Sequence, residues 1–110
     1  MDSKVASAVK ELIKAIQESE EYITFENNRK QALSNDELLR NIKRTRVIRE
    51  QLGKMSEYDR NSASAEALEN EYDNLCDITA VHKFSLAELE ICEMYREVMA
   101  QIVNNVNIDL

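Results

Sequence analysis

The chain has 110 residues, 44% of them hydrophobic and 32% charged, and a formal net charge of −7. That length suits a single domain, 1–110, near the size at which one core becomes self-sufficient. One glycine and no proline exclude a hairpin-rich sheet, because those residues let a backbone reverse tightly. No apolar run approaches the roughly 20 residues that span a bilayer. Met1-Asp2-Ser3-Lys4-Val5 lacks the apolar stretch of a secretory signal. A soluble, cytoplasmic, all-α protein is expected, with no membrane contact.

The first helix is expected from about Lys4. Val5, Ala8, Val9, Leu12, Ile13 and Ile16 share one face at helical spacing. The stripe loses phase near Ser19, which reads as an N-cap with Glu20 and Glu21 in the following turn, where the helix dipole favours anions. Tyr22, Phe25, Arg29 and Ala32/Leu33 then continue at spacings of three and four.

Ser34-Asn35-Asp36-Glu37 is the clearest punctuation. Ser34 with Glu37 has the form of a capping box, and Asn35 and Asp36 are also good caps. The next helix is expected from about Asp36 to the low fifties, with Leu38, Ile42, Thr45, Ile48, Leu52 and Met55 inward. Gly53 either ends it as a left-handed C-cap or is absorbed in a longer rod. Asn61-Ser62-Ala63-Ser64 reads as the linker. Residues 1–61 hold 12 basic and 11 acidic side chains, whereas residues 62–110 hold 2 and 10. That asymmetry suggests that one half docks on the other, within or between chains.

A short helix follows, with Ala65, Leu68, Tyr72 and Leu75/Cys76 inward and Glu66, Glu69 and Asp73 outward. Asp77-Ile78-Thr79 marks a stop and a new cap. The last helix, about Ala80 to Val106, carries Val81, Phe84, Ile91, Tyr95, Val98, Met99, Ile102 and Val106 on one face. Its length of about 40 Å exceeds what a compact 100-residue domain covers, since the radius of gyration is only about 13 Å. Packing against a second copy is the simplest remedy. Phe84, Ile91, Tyr95, Val98 and Ile102 are the candidate interface residues of a homodimer or larger assembly.

No residue set points to catalysis. His82 stands alone. Cys76 and Cys92 are sixteen positions apart without the spacing of a metal knuckle, and two thiols cannot complete a four-thiolate site in one chain. Cys92 is expected as a small buried hydrophobe. No Gly-rich phosphate loop or nucleophile elbow is present. No enzyme activity, metal or cofactor is expected.

Two charges fall inside apolar stripes, Arg49 on the third helical segment and Glu88 on the last. Either they reach solvent by snorkelling or position, or they pair across helices and fix register. Arg40, Lys43, Arg44, Arg46 and Lys54 form a basic face opposite the apolar stripe. It reads as a solvated face, with docking of RNA phosphates or an acidic protein as the alternative. No aromatic side chain interleaves with these bases, so single-strand stacking is not indicated.

Val5-x-x-Ala8-x-x-x-Leu12-x-x-x-Ile16-x-x-Ser19-Glu20-Glu21-Tyr22 resembles the opening of the YlbF/YmcA family of small bacterial helical proteins. Ser34-Asn35-Asp36-Glu37-Leu38 stands where that family has its helix break. Val81, Ala87-Glu88 and Val98-x-x-x-Ile102-Val103 resemble its long terminal helix. The resemblance implies an oligomeric helical bundle without enzymatic activity, a regulator of competence, biofilm and sporulation programmes. It also implies a link to a complex that modulates an RNA-degrading endonuclease, and some members are linked to iron–sulfur clusters. The expected architecture is an antiparallel helical bundle whose long C-terminal helix packs between subunits. The expected partners are a second copy and other regulatory proteins, with RNA as the alternative.

Overall fold

The computed structural model describes residues 1–108. Every element among them is a helix: α1 Ser3–Gln17, α2 Glu20–Leu33, α3 Asp36–Lys54, α4 Glu57–Arg60, α5 Ala63–Cys76 and α6 Thr79–Asn105. All-α architecture with a long C-terminal helix is therefore observed.

Side-chain caps set most of the boundaries. The Asp2 carboxylate accepts from the Lys4 amide at 2.8 Å and opens α1. Ser19 serves two helices: its hydroxyl donates to the Ile16 carbonyl at the end of α1. The same oxygen accepts from the Tyr22 amide at 3.2 Å, so the break in phase at Ser19 is a true helix boundary.

At the next boundary the cap is Asn35, whose side chain accepts from the Leu38 amide at 3.1 Å. Ser34 instead donates to the Gln31 carbonyl and closes α2, so the Ser34–Glu37 box does not form. An amide oxygen one residue nearer the helix takes the orphan donor first. Gly53 has no positive φ and lies inside α3, which it does not end. Ser62 caps α5 by accepting from the Ala65 amide at 3.2 Å, so most of the expected linker at 61–64 is cap and first turn.

The chain divides into two compact units, residues 29–85 in one and residues 1–28 with 86–110 in the other. In the 29–85 unit, α5 packs on α3 and α4 on α5. Its interior is Ala32, Leu38, Ile42, Ile48, Ala65, Val81 and Phe84, with Thr45 as the one buried polar residue. Thr45 satisfies its hydroxyl by donating to the Ile42 carbonyl at 2.6 Å. The apolar stripe expected on α3 is this core.

Charge also ties the unit together. Arg44 on α3 bonds Glu71 on α5, and Arg60 on α4 reaches Glu69 on α5 at 3.5 Å. Within this unit, the basic first half does meet the acidic second half. Arg46 places its guanidinium 5.8 Å from the Phe84 ring centroid, a cation–π distance.

The other unit contains α1, the beginning of α2 and the C-terminal part of α6. Its one fully buried hydrophobic side chain among the described residues is Ala87. α1 has none. The strongly amphipathic first helix thus turns its apolar stripe to a surface that remains open.

Candidate protein-interaction face

Within the 1–28 and 86–110 unit, two connected apolar grooves run between α1 and the end of α6. One is lined by Ile13, Ile16, Tyr22, Phe25, Ile91 and Tyr95, with Gln17 at its edge. The other continues along Val9, Leu12, Ile13, Ile16, Tyr95, Val98, Met99 and Ile102. Both expose far more apolar than polar lining. Tyr95 is 58% exposed and Val103 is 68% exposed, against 0% for Ile48 in the other unit's core. Val5, Val9, Ile13, Met99, Ile102 and Val106 are also exposed. Soluble monomers rarely present contiguous apolar patches beyond a few hundred Å² unless they are binding surfaces.

The interface residues inferred from sequence separate along α6. Tyr95 and Ile102 are exposed, and Ile91 and Val98 are half-buried in the groove. Phe84 is buried in the 29–85 core beneath Arg46. The missing members of the face are Val9, Ile13 and Met99. Their signal was the α1 stripe for Val9 and Ile13 and the α6 stripe for Met99, which periodicity identified without saying that they stay uncovered.

The basic face is largely taken up by intramolecular contacts. Arg44 is held by Glu71, Lys54 by Glu50 at 2.9 Å, and Arg46 lies over Phe84. Arg40 and Lys43 are exposed. Arg44's hydrogen bond holds the Glu71 carboxyl below its ordinary range, and the same bond raises the guanidinium.

Arg49 is exposed on α3, and its positive charge acts on the Tyr72 phenol. Glu88 is half-buried on α6 in the other unit. Tyr72 has its phenol pushed up, first by burial and then by a hydrogen bond with Cys76 one turn on. His82 is exposed.

Cys76 and Cys92 are both free thiols. Cys92 is exposed, contrary to the buried role expected for it, because it sits on the open part of the α6 stripe. Among the described residues no three His, Cys, Asp or Glu side chains converge to hold a metal, and the two cysteines belong to different units. This donor set does not fit a four-thiolate cluster. Among the described residues no helix is long and apolar enough to cross a membrane.

No curated protein and no solved structure matches the chain. The profile of the family described as "Control of competence regulator ComK, YlbF/YmcA" matches residues 5–107. With nearly its whole length matched, α1 through α6, the chain belongs to the YlbF/YmcA family, and its role is regulatory.

Proposed function

We propose that this chain is a non-enzymatic cytoplasmic adaptor that controls ComK-dependent competence through protein–protein contacts, working as a homodimer or larger assembly. The observation that carries the reading is the open groove between α1 and α6, whose lining is predominantly apolar. Catalysis needs convergent titratable groups with shifted pKa values. Among the described residues, the groups with a resolved shift are the half-exposed Arg44–Glu71 pair and Tyr72, all in the 29–85 unit. The family description supports competence control. The wider resemblance extends the reading to biofilm and sporulation programmes and to a complex acting on RNA processing.

The test is made in the native cell. Tyr95→Asp with Ile102→Asp places two charges on the groove without disturbing the 29–85 core. Deletion of the gene should change ComK protein level and competence transcription, and the double variant should reproduce the deletion at normal abundance. Unchanged ComK output in the deletion strain overturns the competence assignment. Unchanged output in the variant alone overturns the groove as the working surface.

A further inference from the structure

α6 carries a second exposed face besides the one that lines the groove. Leu86 and Leu89 are 47% and 49% exposed, and Glu90, Glu93 and Glu97 beside them are exposed as well. At 3.6 residues per turn the five share an arc about 100° wide. Its centre lies roughly 150° around the helix from the stripe of Cys92, Tyr95, Met99, Ile102 and Val106. A molecule seated in the groove therefore leaves this face open. All five residues belong to the unit that holds the groove.

Exposed leucines alone are ordinary; the charge around this pair is what singles it out. Glu90, Glu93 and Glu97 recur at spacings of three and four over about 10 Å of helix axis. Among the described residues Glu90 and Glu93 enter no ion pair. Glu97 accepts from the neutral Gln101 amide at 3.0 Å. Between Leu86 and Gln101 the one base is Arg96, which lies at the edge of the arc toward the groove stripe.

We infer that this face docks a basic amphipathic helix of another protein. Apolar side chains of that helix rest on Leu86 and Leu89, and its Lys or Arg side chains, three and four positions apart, meet the three glutamates. The inference goes beyond the groove, and it stands whatever the groove holds and whether or not ComK is the output.

The carboxylates repel RNA phosphates and acidic segments alike, and a second copy offering the same face sets carboxylate against carboxylate. The basic helix α3 of a second copy is a poor occupant, because Arg44, Arg46 and Lys54 are engaged within their own chain. Exposed ion pairs add little affinity, so burial of the leucines holds the partner. The glutamates speed encounter and select the partner's sign.

The first test uses a fluorescein-labelled peptide of about 14 residues, four helical turns, built of leucine with lysine at spacings of three and four. Combined Glu90→Gln, Glu93→Gln and Glu97→Gln should weaken its binding about tenfold in 0.05 M sodium chloride, with the gap closing toward 0.5 M as ions screen the attraction. Leu86→Ala with Leu89→Ala should weaken binding at both salts. Each variant should keep its helicity by circular dichroism, since the substituted side chains are exposed. Tyr95→Ser with Ile102→Ser, on the groove, should leave binding unchanged. Unchanged affinity in the glutamine variant overturns the proposal, as does a loss that follows the groove variant and spares the face variants.

The second test is made in the native cell, with p-benzoylphenylalanine in place of Leu89 and sequencing of the segment cross-linked on irradiation. A segment of another protein with Lys or Arg at three- and four-residue spacing supports the proposal. An acidic segment, nucleic acid, residues 36–54 of a second copy, or no adduct overturns it.

Discussion

Arg44 holds Glu71 by two parallel bonds, Nε to Oε2 at 2.5 Å and Nη2 to Oε1 at 2.9 Å. The planar guanidinium matches a carboxylate in this fork, and the pair clamps α3 to α5 across 27 positions of sequence. Both side chains remain 42% exposed, so water screens the attraction and its contribution is modest. Its value lies in orientation: it fixes how the two helices of the 29–85 unit lie on one another above the Ile48 core.

The pair makes stability depend on pH with a definite sign. The hydrogen bond from Arg44 lowers the Glu71 pKa below its ordinary value of 4.5. A lowered carboxylate stabilises the folded state fully above the ordinary value, and that contribution disappears as pH falls through the lowered one. Glu71→Gln should therefore unfold at slightly lower urea than the parent at pH 7, and the gap should narrow as pH falls below the ordinary carboxylate range. A gap that does not narrow would assign the effect to packing.

Gly53 offers the simplest gain in stability. It lies inside α3 with no positive φ, and a Cβ built there meets nothing within 4 Å. A mid-helix glycine costs roughly 0.5–1 kcal/mol relative to alanine through unfolded-chain entropy, and Gly53, one residue from the end of α3, falls below that range. Gly53→Ala should raise the thermal midpoint by a few degrees with no change in oligomeric state.

Periodicity made most of α3 legible: Leu38, Ile42, Thr45 and Ile48 were expected inward and are buried, whereas Leu52 is half-buried and Met55, also half-buried, falls just past the helix end. The caps were legible only to within a residue, because Ser34, Asn35 and Asp36 are all good caps and the competition among them is decided by geometry. The candidate face was legible as an apolar stripe and illegible as a surface. Val9 and Phe84 look alike in sequence, yet one lines an open groove and the other lies in a core. The fate of the bases was equally hidden: the partners of Arg44 and Arg46, Glu71 and Phe84, lie 27 and 38 positions away, beyond the reach of local spacing.

Core and face should respond oppositely to truncation. Ile48 is fully buried, so Ile48→Ala removes packed methyl groups and leaves a cavity, at a cost of about 2–5 kcal/mol. Val9→Ala on the open groove should cost well under 1 kcal/mol in dilute solution, where the chain is alone, and more where copies associate. Urea titrations at two protein concentrations separate the two effects.

Salt dependence distinguishes the partners by sign. The unit bearing the groove holds 4 basic and 11 acidic side chains, whereas residues 29–85 hold 10 of each, so the whole net charge of the chain rests on the unit that bears the groove. Bringing two such units together opposes like charges, and added ions screen that repulsion, with a Debye length of about 10 Å at 0.1 M falling to about 3 Å at 1 M. Self-association should tighten several-fold as sodium chloride rises from 0.05 to 0.5 M, read by sedimentation equilibrium. RNA held by Arg40 and Lys43 behaves in the opposite way, because each neutralised phosphate releases counterions and affinity falls as salt rises. With three of the five bases engaged within the chain, RNA affinity should be weak at 0.05 M salt and absent at 0.2 M. Tight RNA binding that survives 0.2 M salt would move the functional surface from the groove to α3.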